Sequence, residues 1–350
     1  MSFTDLIKPH KLAAGDKVAI ISPSWAGASV FPDRYAAGIK QMEEEFGLIA
    51  VEAPNAMISA AENADNPQKR AEDINWAVKN QEIKAIIPVI GGDDAVRLLP
   101  YLDYDAIRAN PKILLGYSDG TVLHLAFMHA GVESIYGPTV MAGGFAENGG
   151  MMAYFKNSVR KTLFSTDIIG KIEPNTSGWT DEELPWRDPK NQSVKRKLKK
   201  TIDRKVLQGT GKVRGHLFGG CIEVLEMLKG TPVWPNKEFF ENSILFFETS
   251  EEAPSIDYVV RALRNYAATG ILERANGIII GRGANLPENE MDRYEQAFFH
   301  VVQKECHLNI PMISQMDFGH TDPMFLLPYG AQAEIDSSDG SFSILENAVI

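Results

Sequence analysis

The first 165 residues of the chain alternate short apolar runs with segments of helical periodicity, and this alternation constrains the fold more than any other feature. Lys17–Pro23 and Ile83–Ile90 are two of these runs. Strands that alternate with helices form βαβ units, because parallel strands must be joined by a crossover connection. We therefore predict a mainly parallel sheet with helices on both faces. Ligands bind at the carboxyl ends of the strands in such sheets, so glycine-rich strand ends are the first candidates for a site.

Composition and charge narrow the class of protein. The 350 residues include 44% hydrophobic and 23% charged side chains, which is ordinary for a globular protein. The net charge of −11 argues against nucleic-acid and anionic-membrane partners, because both attract basic surfaces. No apolar run approaches the ~18 residues of a membrane span, and residues 1–5 lack the basic and apolar regions of a signal peptide. Two cysteines build no disulfide scaffold, so we predict a soluble, cytoplasmic protein.

The alternating pattern fails between Lys171 and Gly211. This stretch is rich in proline, glycine and acidic residues, yet it contains Trp179 and Trp186, and a basic run, Lys195–Lys205, follows them. A loop of this length is typically a functional lid or a linker. Two tryptophans in a polar loop either anchor the loop on a core or offer a ligand a stacking surface. The basic run is interpreted as a solvated linker.

The segment Gly116–Gly120 fits the pattern Gly-x-Ser-x-Gly between a predicted strand, Lys112–Leu115, and a predicted helix, Thr121–Ala130. A nucleophilic serine needs this context, because the tight turn exposes its hydroxyl group and the following N–H points toward a developing oxyanion. Ser118 is therefore the candidate nucleophile. The alternative is that Ser118 only caps the helix.

A serine nucleophile also needs a base, and an acid that orients the base. His320 lies in a polar turn after an apolar run, where an imidazole can face a site at a strand end. His124 and His129 lie on the helix after Ser118 and are expected to be packed or solvated. Glu248 directly follows an apolar strand. On the residues alone, an ordinary turn histidine and a solvated strand-end carboxylate are the simpler interpretations of His320 and Glu248.

Other chemistries are excluded by what their motifs lack. Gln208–Val213 resembles a phosphate-binding loop, but the first glycine and the Ser/Thr position are missing. Gly281–Leu286 follows a predicted strand but lacks the third glycine of a dinucleotide-binding fingerprint. Cys221 and Cys306 form no cluster with zinc-ligand spacing. We therefore expect neither a metal nor a cofactor.

Six segments together resemble the LD-carboxypeptidase family of serine peptidases, and they occur in the order that the family has. They are Ser22–Ser24, Ile90–Asp94, Leu115–Asp119, Gly215–Gly220, Phe247–Glu248 and Asp317–His320. The resemblance covers nearly the whole chain. Because the family uses a Ser-Glu-His triad, the resemblance implies Ser118 as nucleophile, His320 as general base and acid, and Glu248 as the carboxylate that orients His320.

The resemblance also implies an oxyanion hole formed by the backbone N–H of Asp119 and by the pair Gly91 and Gly92. The implied fold is α/β, with an N-terminal three-layer α/β/α domain whose mainly parallel sheet is similar to that of class I glutamine amidotransferases, and a smaller C-terminal α/β domain. We expect an N-terminal domain with the nucleophile at residues 1–168 and a linker with the tryptophan loop at residues 169–208. A C-terminal domain at residues 209–350 is expected to contain the acid and the base. No metal is required.

Two branches of the family differ in their substrates. Murein LD-carboxypeptidases release the terminal D-Ala from cytoplasmic peptidoglycan tetrapeptides. The microcin C immunity branch hydrolyses the bond that joins an aminoacyl or peptidyl group to a sulfamoyl- or phosphoramidate-linked adenosine, and a tryptophan loop stacks on the adenine. The loop of this chain favours the immunity branch, which implies antibiotic resistance or detoxification. Trp186 is the expected stacking residue, with Trp179 as the second candidate. A small-molecule substrate and a homodimer are expected.

Two interpretations from other classes stay open. An α/β-hydrolase esterase shares the chain order of serine, acid and histidine, but it would need a His-Gly-Gly-Gly type of motif, and Ile90 precedes the glycine pair here. The other alternative is a non-catalytic protein that binds nucleotides or peptides, in which Ser118 only caps a helix.

Overall fold

A computed structural model describes residues 3–350 of the chain. Residues 1–2, which belong to the segment used for the signal-peptide prediction, lie outside the described residues. The chain forms two sheets with helices between their strands, which confirms the expected mixed α/β architecture with two domains. Among the described residues, no helix is both long and apolar enough for a membrane crossing.

The first sheet has six strands in the order β12-β5-β4-β3-β1-β2. Their bounds are β1 Lys17–Ile21, β2 Ile49–Glu52, β3 Ile83–Pro88, β4 Ile113–Gly116, β5 Ile135–Tyr136 and β12 Leu327–Pro328. The pairs among β1 to β5 are parallel, as the apolar runs predict. β12 pairs antiparallel with β5, so a segment from the far end of the chain completes this sheet.

Helices fill the crossovers of the first sheet. They are α1 Gly27–Val30, α2 Pro32–Phe46, α3 Ala60–Asp65, α4 Pro67–Lys79, α5 Tyr104–Ala109, α6 Thr121–Ala130 and α7 Ala153–Leu163. α2 has a proline in its first position, where no N–H is needed, and ends at Gly47, whose φ of 68° suits a helix terminus. Every residue of α6 except His129 is buried, so the helix that follows Ser118 is a rigid support.

The second sheet has eight strands in the order β6-β14-β13-β8-β9-β10-β11-β7. Their bounds are β6 Gly170–Lys171, β7 Lys205–Gln208, β8 Lys212–Cys221, β9 Ser243–Glu248, β10 Ala275–Gly281, β11 Met312–Met316, β13 Gln332–Asp336 and β14 Ser341–Ile344. The central strands β8 to β11 are parallel. The outer strands pair antiparallel on both sides.

Three helices belong to the second sheet. They are α8 Ile222–Leu228, α9 Ile256–Ala268 and α10 Glu288–Phe299, the last continued by a π-helical turn at His300–Glu305. One cluster of buried apolar side chains extends through both sheets. The two sheets therefore share a core.

The connection between the sheets has little regular structure, as the sequence predicts. A short 3₁₀ turn at Pro189–Ser193 is its main local element before β7. Isolated bridges nevertheless order the connection. Trp179 pairs with Lys199 within it, and Thr180 pairs with Asp322 and so fixes it to the rest of the molecule. The connection is thus a docked segment of the fold.

Candidate active site

The candidate nucleophile lies at the carboxyl end of β4. Ser118 begins a 3₁₀ turn, Ser118–Gly120, that leads directly into α6. Its φ of 58° places it in the left-handed region, which is uncommon for a residue with a side chain and is found where the surroundings over-determine the backbone. This is the strand–turn–helix context that the sequence predicts for a nucleophilic serine.

The glycine loop after β3 lies against this turn. A Cβ atom on Gly91 would lie 2.9 Å from Ser118 Oγ and 3.4 Å from the Asp119 nitrogen, so only glycine allows this approach. Gly92 has a φ of 149°, and a Cβ atom there would overlap the Ser24 hydroxyl. The structure therefore brings the residues predicted for the oxyanion hole to the candidate nucleophile.

A buried arginine fixes the glycine loop. Arg70 forms a bidentate ion pair with Asp94, at 2.6 and 3.0 Å, and also donates to the carbonyl oxygens of Pro23 and Ser24. Because the loops after β1 and β3 share this one guanidinium group, they are held in register beneath Ser118.

The candidate acid and base come from the second sheet. Glu248 is the last residue of β9, and His320 lies in the loop after β11. His320 Nδ1 lies 2.6 Å from Glu248 Oε2, and the two side chains are 5% and 0% exposed. Gly319, with a φ of 95°, makes this approach possible, since a Cβ atom there would lie 2.6 Å from Glu248 Oε2. The contact fixes the orientation of the imidazole ring, as a base in a triad requires.

The charges around His320 decide its protonation. Burial lowers the pKa of His320, but the carboxylates of Glu248 and then Glu251 outweigh burial and raise that pKa to about 9. Glu251 Oε2 lies 3.2 Å from His320 Nε2, on the ring nitrogen that faces away from Glu248. The imidazole is therefore an imidazolium at neutral pH, held between two carboxylates.

The candidate nucleophile and the candidate base are neighbours, although their side chains are not hydrogen-bonded. The ring of Tyr117, next to Ser118, has its centroid 4.7 Å from that of His320. Within the described chain, Ser118 Oγ makes no hydrogen bond to His320, whose Nε2 is paired with Glu251 instead. Catalytic hydrogen bonds are often completed only when substrate binds.

Sequence reasoning missed two residues at this point. The hydroxyl group of Tyr136 donates to Glu248 Oε1 and accepts from the backbone N–H of Ser118 at 3.4 Å. Glu251 is the second. The only signal for Tyr136 was its place at the end of the apolar strand next to the serine strand, and Glu251 lies in a turn that carries no pattern.

The two tryptophans of the loop differ in their environment. Trp179 is 4% exposed, and its ring lies between Arg282 and Lys199, at 4.7 and 4.4 Å from the ring centroid. Trp179 therefore holds the loop in place through cation–π contacts with these two side chains. Trp186 is half-buried: Arg34 lies 5.1 Å from its ring centroid, and Phe31 packs edge-on at 5.6 Å. Trp186 is thus the tryptophan that keeps surface for a ligand.

An aromatic row connects this loop to the glycine loop. Phe31 contacts Trp186 on one side and Trp25 on the other, with the Trp25 centroid at 5.8 Å. Trp25 is 38% exposed, and its backbone N–H donates to the carbonyl oxygen of Gly91. Exposed aromatic surface beside the candidate oxyanion hole offers a flat, apolar ring a place to stack.

The basic run is not uniformly solvated, which corrects the expectation for Lys195–Lys205. The side chain of Arg196 is only 11% exposed, and it pairs with Glu147 of the first domain and, at 2.7 Å, with Asp322, two residues after His320. Its charge is compensated by two carboxylates, which is the condition for burying a guanidinium group. The linker therefore ties the His320 loop to the first domain.

The histidine excluded by sequence reasoning is structural. His124 is fully buried and bonds Ser134 and the Gly116 carbonyl oxygen, each at 2.8 Å. Burial lowers the pKa of His124 to about 4. Of the two environments expected for His124, packed or solvated, the structure shows the packed one.

Comparisons with known proteins give matches along the whole chain. The LD-carboxypeptidase N-terminal domain matches residues 18–137, and the LD-carboxypeptidase C-terminal domain matches residues 214–335. The microcin C7 self-immunity protein MccF of Escherichia coli is 30% identical over 339 residues, which are 96% of this chain and 94% of that protein.

Two solved structures are similar in fold. The structure of MccF in complex with aspartyl sulfamoyl adenosine has a TM-score of 0.85 and 27% sequence identity. The match covers 98% of this chain and 100% of that one. An MccF-like protein from Streptococcus pneumoniae in complex with AMP has a TM-score of 0.85 and 27% identity, over 94% of this chain and 98% of that one.

Proposed function

This chain belongs to the LD-carboxypeptidase family of serine peptidases, and we propose that it hydrolyses the amide-type bond that joins an aminoacyl or peptidyl group to a sulfamoyl- or phosphoramidate-linked adenosine. Such an activity destroys adenylate-mimicking antibiotics, so its role would be resistance or detoxification. The observation that carries the proposal is that Ser118, Glu248 and His320 lie together where the strands of the two sheets end. Contacts through Tyr136 and between Glu248 and His320 connect them.

The choice of substrate is supported by two further observations. The aromatic row of Trp25, Phe31 and Trp186 leads from the loop between the domains to the glycine loop beside Ser118. An adenine ring has the flat shape that such side chains bind by stacking. The relatives whose structures are similar were solved with aspartyl sulfamoyl adenosine or with AMP.

The reaction uses the triad in two steps. His320 takes the proton of the Ser118 hydroxyl as Oγ attacks the scissile carbonyl carbon, and Glu248 stabilises the imidazolium that forms. His320 then gives this proton to the leaving nitrogen, which departs and leaves an ester on Ser118. A water molecule, deprotonated by His320, attacks the ester, and the proton returns to Ser118.

The oxyanion is stabilised by backbone groups. We assign the oxyanion hole to the N–H groups of Asp119 and of Gly91 or Gly92, because the glycine loop lies so close to Ser118 that a Cβ atom on Gly91 would be 2.9 Å from Oγ. Such fixed donors act where charge develops, and the loss of one of them typically costs about 3 kcal/mol of barrier lowering.

Substrate must also displace Glu251. Its carboxylate lies 3.2 Å from the nitrogen of His320 that has to accept the serine proton. Glu251 is 54% exposed, so it can turn into solvent without a large loss of packing. Removing this carboxylate lowers the pKa of His320, which gives the base that the reaction needs.

The proposal is tested by a side-by-side hydrolysis assay. Wild type and Ser118→Ala each receive an aminoacyl sulfamoyl adenosine and an L,D-linked murein tetrapeptide, and products are identified by mass spectrometry. We expect cleavage of the adenosine compound by wild type alone. Release of D-Ala without cleavage of the adenosine compound would instead assign the protein to the murein branch.

Calorimetry on Ser118→Ala separates catalysis from binding. Unchanged affinity for the uncleaved adenosine compound, together with loss of turnover, is expected of a nucleophile. If wild type binds this compound but cleaves neither substrate, the protein is a binding protein. Hydrolysis of p-nitrophenyl esters alone would indicate an esterase.

A further inference from the structure

We propose that Tyr136 is a positioning residue of this site, whose hydroxyl group ties the backbone of Ser118 to the carboxylate of Glu248 and so fixes the nucleophile relative to the acid. The inference rests on the proposed function, because it gives Tyr136 a part in the same reaction. Tyr136 acts through these two residues and not on the substrate.

The direction of both hydrogen bonds follows from their chemistry. A backbone N–H can only donate, so Tyr136 Oη accepts from Ser118, at 3.4 Å. An ionised carboxylate can only accept, so the single proton of the hydroxyl group goes to Glu248 Oε1. The other oxygen, Oε2, is engaged by His320. The Tyr136 hydroxyl group thus bonds the oxygen of Glu248 that His320 leaves open, and it also bonds the backbone of Ser118.

The fold places Tyr136 where it can make both contacts. It is the last residue of β5, which pairs in parallel with β4, and Tyr136 lies in register with Gly116. On its other side it lies in register with Leu327 of β12. The Glu248 carboxylate belongs to the second sheet, so the Tyr136 hydroxyl group bridges the two sheets at the triad.

The tyrosine is held firmly and keeps its proton. Its side chain is 1% exposed, and its ring packs against Phe246 and Tyr329, at centroid distances of 5.5 and 6.4 Å. Burial, followed by the negative charge of Glu248, raises the pKa of Tyr136 well above its ordinary value. The hydroxyl group is therefore a permanent donor to Glu248.

Loss of the hydroxyl group would affect both ends of the bridge. Glu248 Oε1 would lie in a fully buried position without its donor, and an uncompensated buried carboxylate oxygen is costly. Ser118 would lose the acceptor for its N–H while its φ of 58° is already unfavourable. Both changes disturb the reaction geometry more than the binding surface. We therefore expect kcat to fall and KM to stay nearly unchanged.

The test is Tyr136→Phe, which keeps the ring and removes only the hydroxyl group. We expect a 10- to 100-fold lower kcat, as is typical when a supporting hydrogen bond to a catalytic group is lost, with KM within about twofold. Tyr329→Phe is the matched control, because Tyr329 is equally buried and donates to the Gly219 carbonyl oxygen instead. This control should keep wild-type kcat.

A second measurement reads the bridge without substrate. The pKa of His320, followed by NMR of its labelled imidazole, should rise in Tyr136→Phe, because the charge of Glu248 is no longer shared with a donor. The Tyr329→Phe spectrum should match wild type.

The proposal is overturned if Tyr136→Phe keeps both the wild-type kcat and the wild-type His320 titration, or if both variants lose activity equally. These results can be distinguished from a failure of the proposed function. If the proposed function is wrong, wild type does not cleave the adenosine compound, but the NMR titration of His320 still tests the contact between Tyr136 and Glu248.

Discussion

His320 Nε2 lies 3.2 Å from Glu251 Oε2, and this nitrogen is the one that accepts the serine proton in the proposed reaction. Together with Glu248 on the other nitrogen, Glu251 raises the pKa of His320 to about 9. Only the neutral imidazole acts as a base, so kcat/KM should rise as the pH increases through this range.

Glu251→Gln should move this rise to lower pH. The substitution removes a negative charge that stabilises the imidazolium, so the pKa of His320 falls and more of the base is neutral at pH 7. The measurement is the pH profile of kcat/KM. Glu252→Gln, at the neighbouring exposed position, is the control and should keep the wild-type profile. An unchanged profile for Glu251→Gln would contradict the proposed role of this contact.

Gly91→Ala should impair the chemical step. The new Cβ atom would lie 2.9 Å from Ser118 Oγ, so either the nucleophile or the glycine loop has to move. We expect a loss of about 100-fold in kcat, the size seen when an oxyanion donor is misplaced. Gly120→Ala is the control, since a Cβ atom there meets nothing within 4 Å. Similar losses in the two variants would argue against the predicted oxyanion hole.

Arg196→Met should destabilise the protein. Arg196 pairs with both Glu147 and Asp322, whose carboxylate side chains are only 3% and 13% exposed. Breaking a buried pair by removing one partner costs about 3–5 kcal/mol, which urea denaturation would detect as a lower midpoint. Lys197→Met, one residue on but exposed, should unfold like wild type. Equal midpoints for both variants would show that the linker contact carries little stability.

Trp186→Ala should weaken hydrolysis of the adenosine compound far more than that of a murein peptide. Stacking of a base on an aromatic side chain is worth about 1–3 kcal/mol, which corresponds to an increase in KM of roughly 5- to 160-fold. The murein peptide has no base and serves as the internal control. Equal losses on the two substrates would refute the stacking role of Trp186.

The sequence predicts local features of this protein well. The parallel strands of the first sheet and the turn at Ser118 follow from periodicity and from the glycine pattern, because both are set by neighbours along the chain. The sequence predicts α6 at Thr121–Ala130, the bounds that the structure has.

Features that depend on distant contacts were not predictable from the residues. Lys212–Cys221 is one long strand, although its start resembles a phosphate-binding loop and its glycines suggest a turn. Arg196 lies in a polar run, and only folding brings two carboxylates to it. Tyr136 lies 112 positions before its partner Glu248. Single-residue patterns carry no information about such pairs, since tertiary packing decides them.

The short strand β12 determines how the loop that contains His320 is held. His320 lies between β11 of the second sheet and β12, which pairs with β5 of the first. The loop that contains His320 is thus fixed at both ends, by one strand in each sheet. A relative movement of the sheets would displace this loop before it opened the shared core. Turnover by this protein would then report on small changes in the alignment of its two halves, even where the rest of the fold stays intact.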